Sequence, residues 1–386
     1  MTNYLIRRFF QMMLVVIVAS MSIYFILYLA PGGPLDELRT SGRGLRVNSV
    51  TDDDIQRLAE YLGLHRGPVW GYLAWLTGED WMRVIPEELW PVSEITGNRA
   101  PVQTSVCRAS PVNCGRGVLR GDFGVSWEVA RGQPVGDVLL SRMRNTLILM
   151  ISATVLSLLI AIPIGIFSAV KQYSRMDYAF TTFAFLGTAM PVFWFALMLI
   201  ILVGGNQSPL YKVLGLPYMP TGNVTLLRDP MAGSLEKLLN ITPGSGSDIL
   251  VHAILPTLVL SLLYMAGWSR FMRSSMLEVL RQDYVRVARA KGLSERVVIY
   301  KHALRNALIP LITIVVFQIP GIFGGATITE TVFNWPGMGF LYVNALGRSD
   351  YPVAMAFLFI SSVLVVIAAL LGDVLYTIVD PRIRYN

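Results

Sequence analysis

Six long apolar stretches constrain this chain more than any other feature. They run approximately over residues 9–30, 146–170, 178–203, 254–268, 307–329 and 353–379. A helix rising about 1.5 Å per residue needs roughly 20 apolar residues to cross a hydrocarbon layer about 30 Å thick. With 54% of its 386 residues apolar and only 15% charged, and a mean hydropathy of +0.54, the chain is not a cytosolic enzyme, a disordered polymer or a disulfide-framed secreted scaffold. The bulk of it belongs in lipid. Pro256 opens the fourth stretch, and Arg270 with Arg273 closes it early. The first follows Arg7 and Arg8 as a signal peptide would, but its length and the helix-stopping Pro31-Gly-Gly-Pro34 predict a retained span.

The short loops set the orientation. Arg7 and Arg8 precede span one, Lys171 and Arg175 separate spans two and three, and Arg382 and Arg384 follow span six. Between spans four and five, residues 270–305 carry nine Lys or Arg against three acids, Glu278, Asp283 and Glu295. All four segments fall on one side of a six-span chain, and the positive-inside rule makes that side the cytoplasm, with both termini. The net charge of +7 follows from these loops and needs no nucleic-acid partner. Residues 31–141 are then outside, with eleven arginines, no lysine and fourteen acids. Long translocated segments escape the rule.

Within that outer segment Thr51 is an N-cap, and Asp52, Asp53 and Asp54 put negative charge on a first helical turn. Ile55, Leu58, Ala59 and Leu62 repeat at helical spacing, and Gly63 supplies the stop. Trp70, Trp75, Trp81 and Trp90 follow. They fit either a stretch lying along the outer membrane interface or the core of a small folded cap. Cys107 and Cys114 sit in a loop on the oxidising side, which favours a disulfide, with two free thiols as the alternative. No histidine or further cysteine lies near enough to suggest a metal site.

Several chemistries are missing. There is no Gly-x-x-x-x-Gly-Lys-Ser/Thr loop for ATP, no His-Glu-x-x-His and no Gly-x-Ser-x-Gly, so catalytic residues are not expected. The spans are almost free of ionisable groups, whereas ion-coupled carriers keep such groups inside the bilayer. Asp373 is the exception, about two turns from the cytoplasmic end of span six. The energy for any transport must come from elsewhere.

The most informative segment is the cytoplasmic loop. It begins with a short helical run that Gly292 can end in a left-handed conformation, and Ser294 can cap a second helix leading into span five. Small Ala288 and Ala290 permit close approach of another protein, with Arg286, Arg289 and Lys291 supplying charge around them. The alternative is an ordinary basic loop facing lipid headgroups.

Tyr284-Val-Arg-Val-Ala-Arg-Ala-Lys-Gly-Leu293 and His302-Ala-Leu-Arg-Asn-Ala-Leu308 resemble the coupling loop of ATP-binding-cassette importer permeases of the dipeptide and oligopeptide group. The wider family reads Glu-Ala-Ala, three residues, Gly. Aligning on Gly292 sets Arg286-Val-Ala288 there, so only the second alanine and the glycine match. Tyr4-Leu-Ile-Arg-Arg-Phe-Phe10, Leu29-Ala-Pro-Gly-Gly-Pro34, Gly121-Asp-Phe-Gly-Val-Ser126, Glu330-Thr-Val-Phe-Asn-Trp-Pro-Gly-Met-Gly339, Arg348-Ser-Asp-Tyr-Pro352 and Asp380-Pro-Arg-Ile-Arg384 resemble the same group. Residues 79–116 and 204–248 stand outside the likeness, and the first looks like an insertion.

The resemblance implies an all-α membrane protein with six transmembrane helices of the type I importer kind and an enlarged external segment between helices 1 and 2. Its parts would be an anchor helix (1–30), the external segment (31–141) and a five-helix core (142–386) with the coupling loop at 270–305. It implies the B-type subunit of a peptide importer in a bacterial or archaeal plasma membrane. The partners would be a C-type permease, two ATPases that bind the ATP and Mg, and an external solute-binding protein. Relatives moving nickel chelates, glutathione, haem or oligosaccharides keep the substrate open, and a stand-alone secondary carrier and a non-transport membrane scaffold or receptor are the rival classes. Tyr284, Arg286, Ala288, Arg289, Ala290, Lys291 and Gly292 are the expected ATPase-coupling residues. Glu330, Asn334, Trp335, Pro336 and Gly337 are expected at an external gate or binding-protein contact. Pro163-Ile-Gly165, residues 187–191, Pro320-Gly321 and Gly324-Gly325 interrupt the spans, where either motion or close helix packing is expected.

Overall fold

The structure, a computed structural model, describes residues 2–30, 52–92, 99, 101–110, 114–324 and 326–379. The Pro31–Pro34 stop, the Thr51 cap, Gly325, the 380–384 ending and the Asp373 side chain lie outside what is described. Among the described residues the elements are helices, and extended chain occurs only as isolated bridges.

Among the described residues five helices are long and apolar enough to cross a membrane: Ile6–Tyr28, Val135–Val170, Gly246–Leu280, Glu295–Phe317 and Tyr351–Gly372. A sixth crossing exists if Arg175–Ala189 and Val192–Val203, bent by 106°, count as one. The bend falls where the sequence interrupts the third stretch. Pro191 has no N–H to donate, and it drives Met190 to an extended ψ of 131°.

Two boundaries differ from expectation. The fourth helix does not open at Pro256; it begins ten residues earlier, where Ser245 accepts the Asp248 N–H at 3.2 Å, and carries the proline in its interior. Nor do Arg270 and Arg273 end it. Arg273 bonds the buried Asp177 carboxylate at 2.9 Å, and Arg270 lies 5.3 Å from the Phe185 ring centre, so both charges are partnered. The fifth helix starts at Glu295, passes through one π-turn at Val298–Ala303 and stops at Phe317 instead of running to Thr329. Pro320 cannot donate to the Val316 carbonyl, and two six-residue helices, Ile319–Gly324 and Thr327–Val332, follow.

The described residues form two compact units. The first comprises Arg142–Phe340 with the described residues before Ile6 and after Val363. Its core gathers Ala161, Ile166, Met272, Met276, Val285, Ala303 and Ala307. A Cβ on Gly165 would meet the Met272 Cβ at 2.5 Å, and one on Gly187 the Ala266 Cβ at 3.2 Å. These two interruptions therefore serve close helix packing.

The second unit comprises Ile6–Ser141 and Leu341–Val363. Helix Asp52–Leu62 ends at Gly63, whose φ is +73°. Trp70 and Trp90 pack on Ala74, Met82 and Val102, so these two rings belong to a small folded core. Trp75 meets Tyr24, Tyr72 and Phe359, and Trp81 stays half exposed. Glu79 organises the neighbouring loops. Its carboxylate accepts the Thr104 N–H (2.9 Å), the Thr104 hydroxyl (3.0 Å) and the Gly115 N–H (3.3 Å), and it pairs with buried Arg66. Cys107 and Cys114 are joined by a disulfide with Cα atoms 4.2 Å apart.

Candidate coupling surface and buried carboxylate ties

Helix Asp283–Ala290 is amphipathic at a spacing of three. Val285 and Ala288 are buried and join the Met272–Met276 core, while Tyr284, Arg286, Val287, Arg289 and Ala290 face outward. Ala288, expected at the partner contact, is buried in its own chain. Its small side chain lets the helix sink against its own chain, and the outward face carries Val287 and Ala290 instead. Lys291 is exposed and follows the helix. Gly292 takes φ +75°, and a Cβ there would meet nothing within 4 Å, so glycine is required by conformation and not by space. Leu293, Val297 and Tyr300 extend the exposed apolar surface. Arg289 and Glu295 brace the turn at 2.7 Å. Ser294 stands at the following helix start without a side-chain cap bond; its carbonyl accepts the Val298 N–H at 3.1 Å. The π-turn just beyond widens the helix where Val298, Ile299 and Ala303 seat in the same core, a local irregularity frequent at functional sites.

The segment from Glu330 to Gly337, expected at an external gate or binding-protein contact, is largely packed into the core. Glu330 is fully buried. Its carboxylate accepts the Thr146 hydroxyl (2.9 Å) and the Phe340 N–H (2.9 Å), and Thr146 in turn accepts the Met338 N–H (2.7 Å). Burial pushes the Glu330 carboxyl above its usual range, and those hydrogen bonds pull partly against the rise. Trp335 is also fully buried, within the cluster of Leu149, Met150 and Leu255, and donates its indole N–H to the Asn145 carbonyl at 3.0 Å. Asn145 donates back to the Pro336 carbonyl at 3.0 Å. A Cβ on Gly337 would lie 2.5 Å from both Glu330 Oε1 and Thr146 Oγ1. Glu330, Trp335 and Gly337 thus fasten this turn to the Val135–Val170 helix. Asn334 remains exposed at φ +46°, bonded to Asn223 at 2.7 Å.

A second buried carboxylate escaped the sequence reasoning. Asp350, fully buried, accepts the Ser126 hydroxyl (2.5 Å) and three successive backbone N–H groups, those of Trp127 (3.1 Å), Glu128 (3.0 Å) and Val129 (2.9 Å). Such an array of donors can hold a charge out of water. Gly121–Ser126 and Arg348–Pro352 were each visible as motifs, but nothing in either names the other as partner.

Several spans with a short amphipathic helix seated between two of them are the architecture of a membrane permease subunit. The chain belongs to the family described as binding-protein-dependent transport system inner membrane component, whose pattern matches residues 161–385. It is 46% identical over 268 residues to the oligopeptide transport system permease protein AppB of Bacillus subtilis, covering 69% of this chain and 78% of that one. It is 38% identical over 275 residues to the dipeptide transport system permease protein DppB of Escherichia coli, covering 70% and 79%. A Brucella suis protein named as a peptide permease is 33% identical over 385 residues, 100% of this chain and 99% of the other. That likeness runs through residues 79–116, so the enlarged segment has a counterpart there.

Proposed function

We propose that the chain is the B-type permease subunit of an ATP-driven importer of dipeptides or oligopeptides, in a bacterial inner membrane. It works with a C-type permease, two cytoplasmic ATPases and an external solute-binding protein. The ATPases hold ATP and Mg; this chain contains no motif for either. The observation that carries the coupling role is the seating of helix Asp283–Ala290, one face sunk in the core and the other offered to a partner. Tyr284, Arg286, Val287, Arg289, Ala290 and Lys291 form the offered face. Closure of the ATPase dimer pushes on it, and Val285 and Ala288 carry the push into the Gly246–Leu280 helix.

Both termini and the 270–305 loop are cytoplasmic in this reading, and the 31–141 segment and the Glu330–Gly337 turn are external. That turn holds the external mouth in register through Glu330 and Trp335, with Asn334 left to meet the binding protein. The Cys107–Cys114 disulfide and Glu79 keep the enlarged outer segment folded. Proteoliposomes containing the chain and its three kinds of partner should take up labelled dipeptide only with ATP inside the ATPase compartment. Uptake without ATP, or uptake of a nickel chelate or sugar in place of peptide, would contradict the proposal.

A further inference from the structure

Beside the seated helix lies a cavity of about 510 Å³ lined by Tyr284, Lys301, His302, Arg305, Asn306 and Ile309. Among the described residues no carboxylate pairs with its charge. Asp283 lies 3.3 Å from Arg286, and Glu295 lies 2.7 Å from Arg289, so two of the loop's three acids are committed elsewhere. No Asp or Glu occurs between Glu295 and Glu330. Among the described residues neither Lys301 nor Arg305, both exposed, has a carboxylate within ion-pair distance. Asn306 donates to the Tyr284 hydroxyl at 2.7 Å. That leaves the hydroxyl's own proton for a further acceptor.

We propose that this cavity receives a carboxylate, an Asp or Glu side chain of the ATPase subunit that docks on the coupling helix. Arg305 and Lys301 would hold it, with the Tyr284 hydroxyl as the third donor. The proposal rests on the coupling role above and adds the chemistry of the partner. One feature favours a protein carboxylate over the phosphate of an anionic lipid. Tyr284 belongs to the helix whose exposed face is the docking surface, so a partner covering Tyr284 and Val287 also covers the cavity. The arginine fork beside a hydroxyl then meets the two oxygens of that partner's carboxylate. Docking then removes water from the pair and strengthens it, and the positive mouth speeds encounter at low salt.

The test measures ATPase-subunit affinity of the assembled permease pair in two kinds of nanodisc, one of phosphatidylcholine alone and one with phosphatidylglycerol added. The Lys301→Glu/Arg305→Glu double variant should bind at least tenfold more weakly in both bilayers, with the deficit shrinking as KCl rises. Lys301→Gln/Arg305→Gln, which introduces no repulsion and guards against misfolding of the first variant, should lose several-fold and show a flatter salt dependence. Arg175→Glu, an equal charge change on another loop, should leave affinity unchanged. Unchanged affinity in the Gln variant overturns the proposal. So does a loss confined to the phosphatidylglycerol discs, which would assign the cavity to lipid. If the unaltered pair binds no ATPase in either bilayer, the coupling role itself fails and takes the proposal with it.

Discussion

Gly292 carries the turn that follows helix Asp283–Ala290. Its φ of +75° is open to glycine and costs other residues strain, with asparagine among the more tolerant. Gly292→Val should strain or displace the loop by about 1–3 kcal/mol and abolish uptake while the subunit still inserts. Gly292→Asn should retain most uptake, because open space surrounds the site and only conformation is at issue. Equal loss in both would point to a contact in place of a turn. The sequence announced this glycine, since the helical run ends against it. It did not announce Ala288's direction. Val285 and Ala288 at i and i+3 were the available signal, an apolar pair on one helix face that marks its buried side.

Glu330 makes the second residue-scale prediction. Its folded-state carboxyl binds a proton more tightly than the unfolded chain does, chiefly because it is buried. The stability it contributes is therefore complete below the ordinary value of 4.5 and is lost as pH rises through the folded value. Glu330→Gln should flatten that decline in a thermal-unfolding series, since the amide can accept from Phe340 and donate to Thr146. Glu330→Leu strands the Phe340 N–H and should cost about 1–3 kcal/mol. A Gln variant that keeps the pH slope would assign the slope elsewhere. Nothing in Glu330-Thr-Val-Phe-Asn-Trp335 distinguishes this buried carboxylate from an exposed one; its partner Thr146 lies 184 positions away.

At the scale of elements, what pattern and punctuation encode was legible. Apolar runs gave the spans, Pro191 gave the break in the third, and Gly63 and Gly292 gave two helix ends. Tertiary partners decided the rest. Pro256 sits inside a helix because Ser245 supplies an earlier cap, and Arg273 is tolerated because Asp177 receives it. The tie between the loop at Ser126–Val129 and the start of helix Tyr351–Val379 is of the same kind. Asp350→Asn must set an amide N–H₂ against at least one of four donors, a loss of about 1–3 kcal/mol. Ser126→Ala removes one of those donors and the acceptor for Ala130. A double-mutant cycle should give a coupling of about 1 kcal/mol or more between the two positions. Additive losses would mean that the short contact carries no energy of its own.

For the whole molecule, the proposed orientation rests on charge asymmetry in two loops and the two termini, and a thiol-labelling experiment tests it. Thr331 suits the probe better than Asn334, because it is exposed and helical whereas Asn334 holds a positive φ. Thr331→Cys should react with a membrane-impermeant reagent in intact cells. Reaction only after the membrane is broken would invert the chain from the fifth span onward.

In the proposed function the outward face of helix Asp283–Ala290 links ATP hydrolysis to movement of the spans. Val287, half exposed and next to buried Ala288, offers the most direct measurement: ATP hydrolysis and peptide uptake followed together in proteoliposomes of the full complex. Val287→Asp, which spares the buried face, should cut binding-protein-stimulated hydrolysis and uptake at least tenfold while the chain inserts and the subunit retains its stability. Stimulated hydrolysis and uptake at the unaltered level in that variant would contradict the claim.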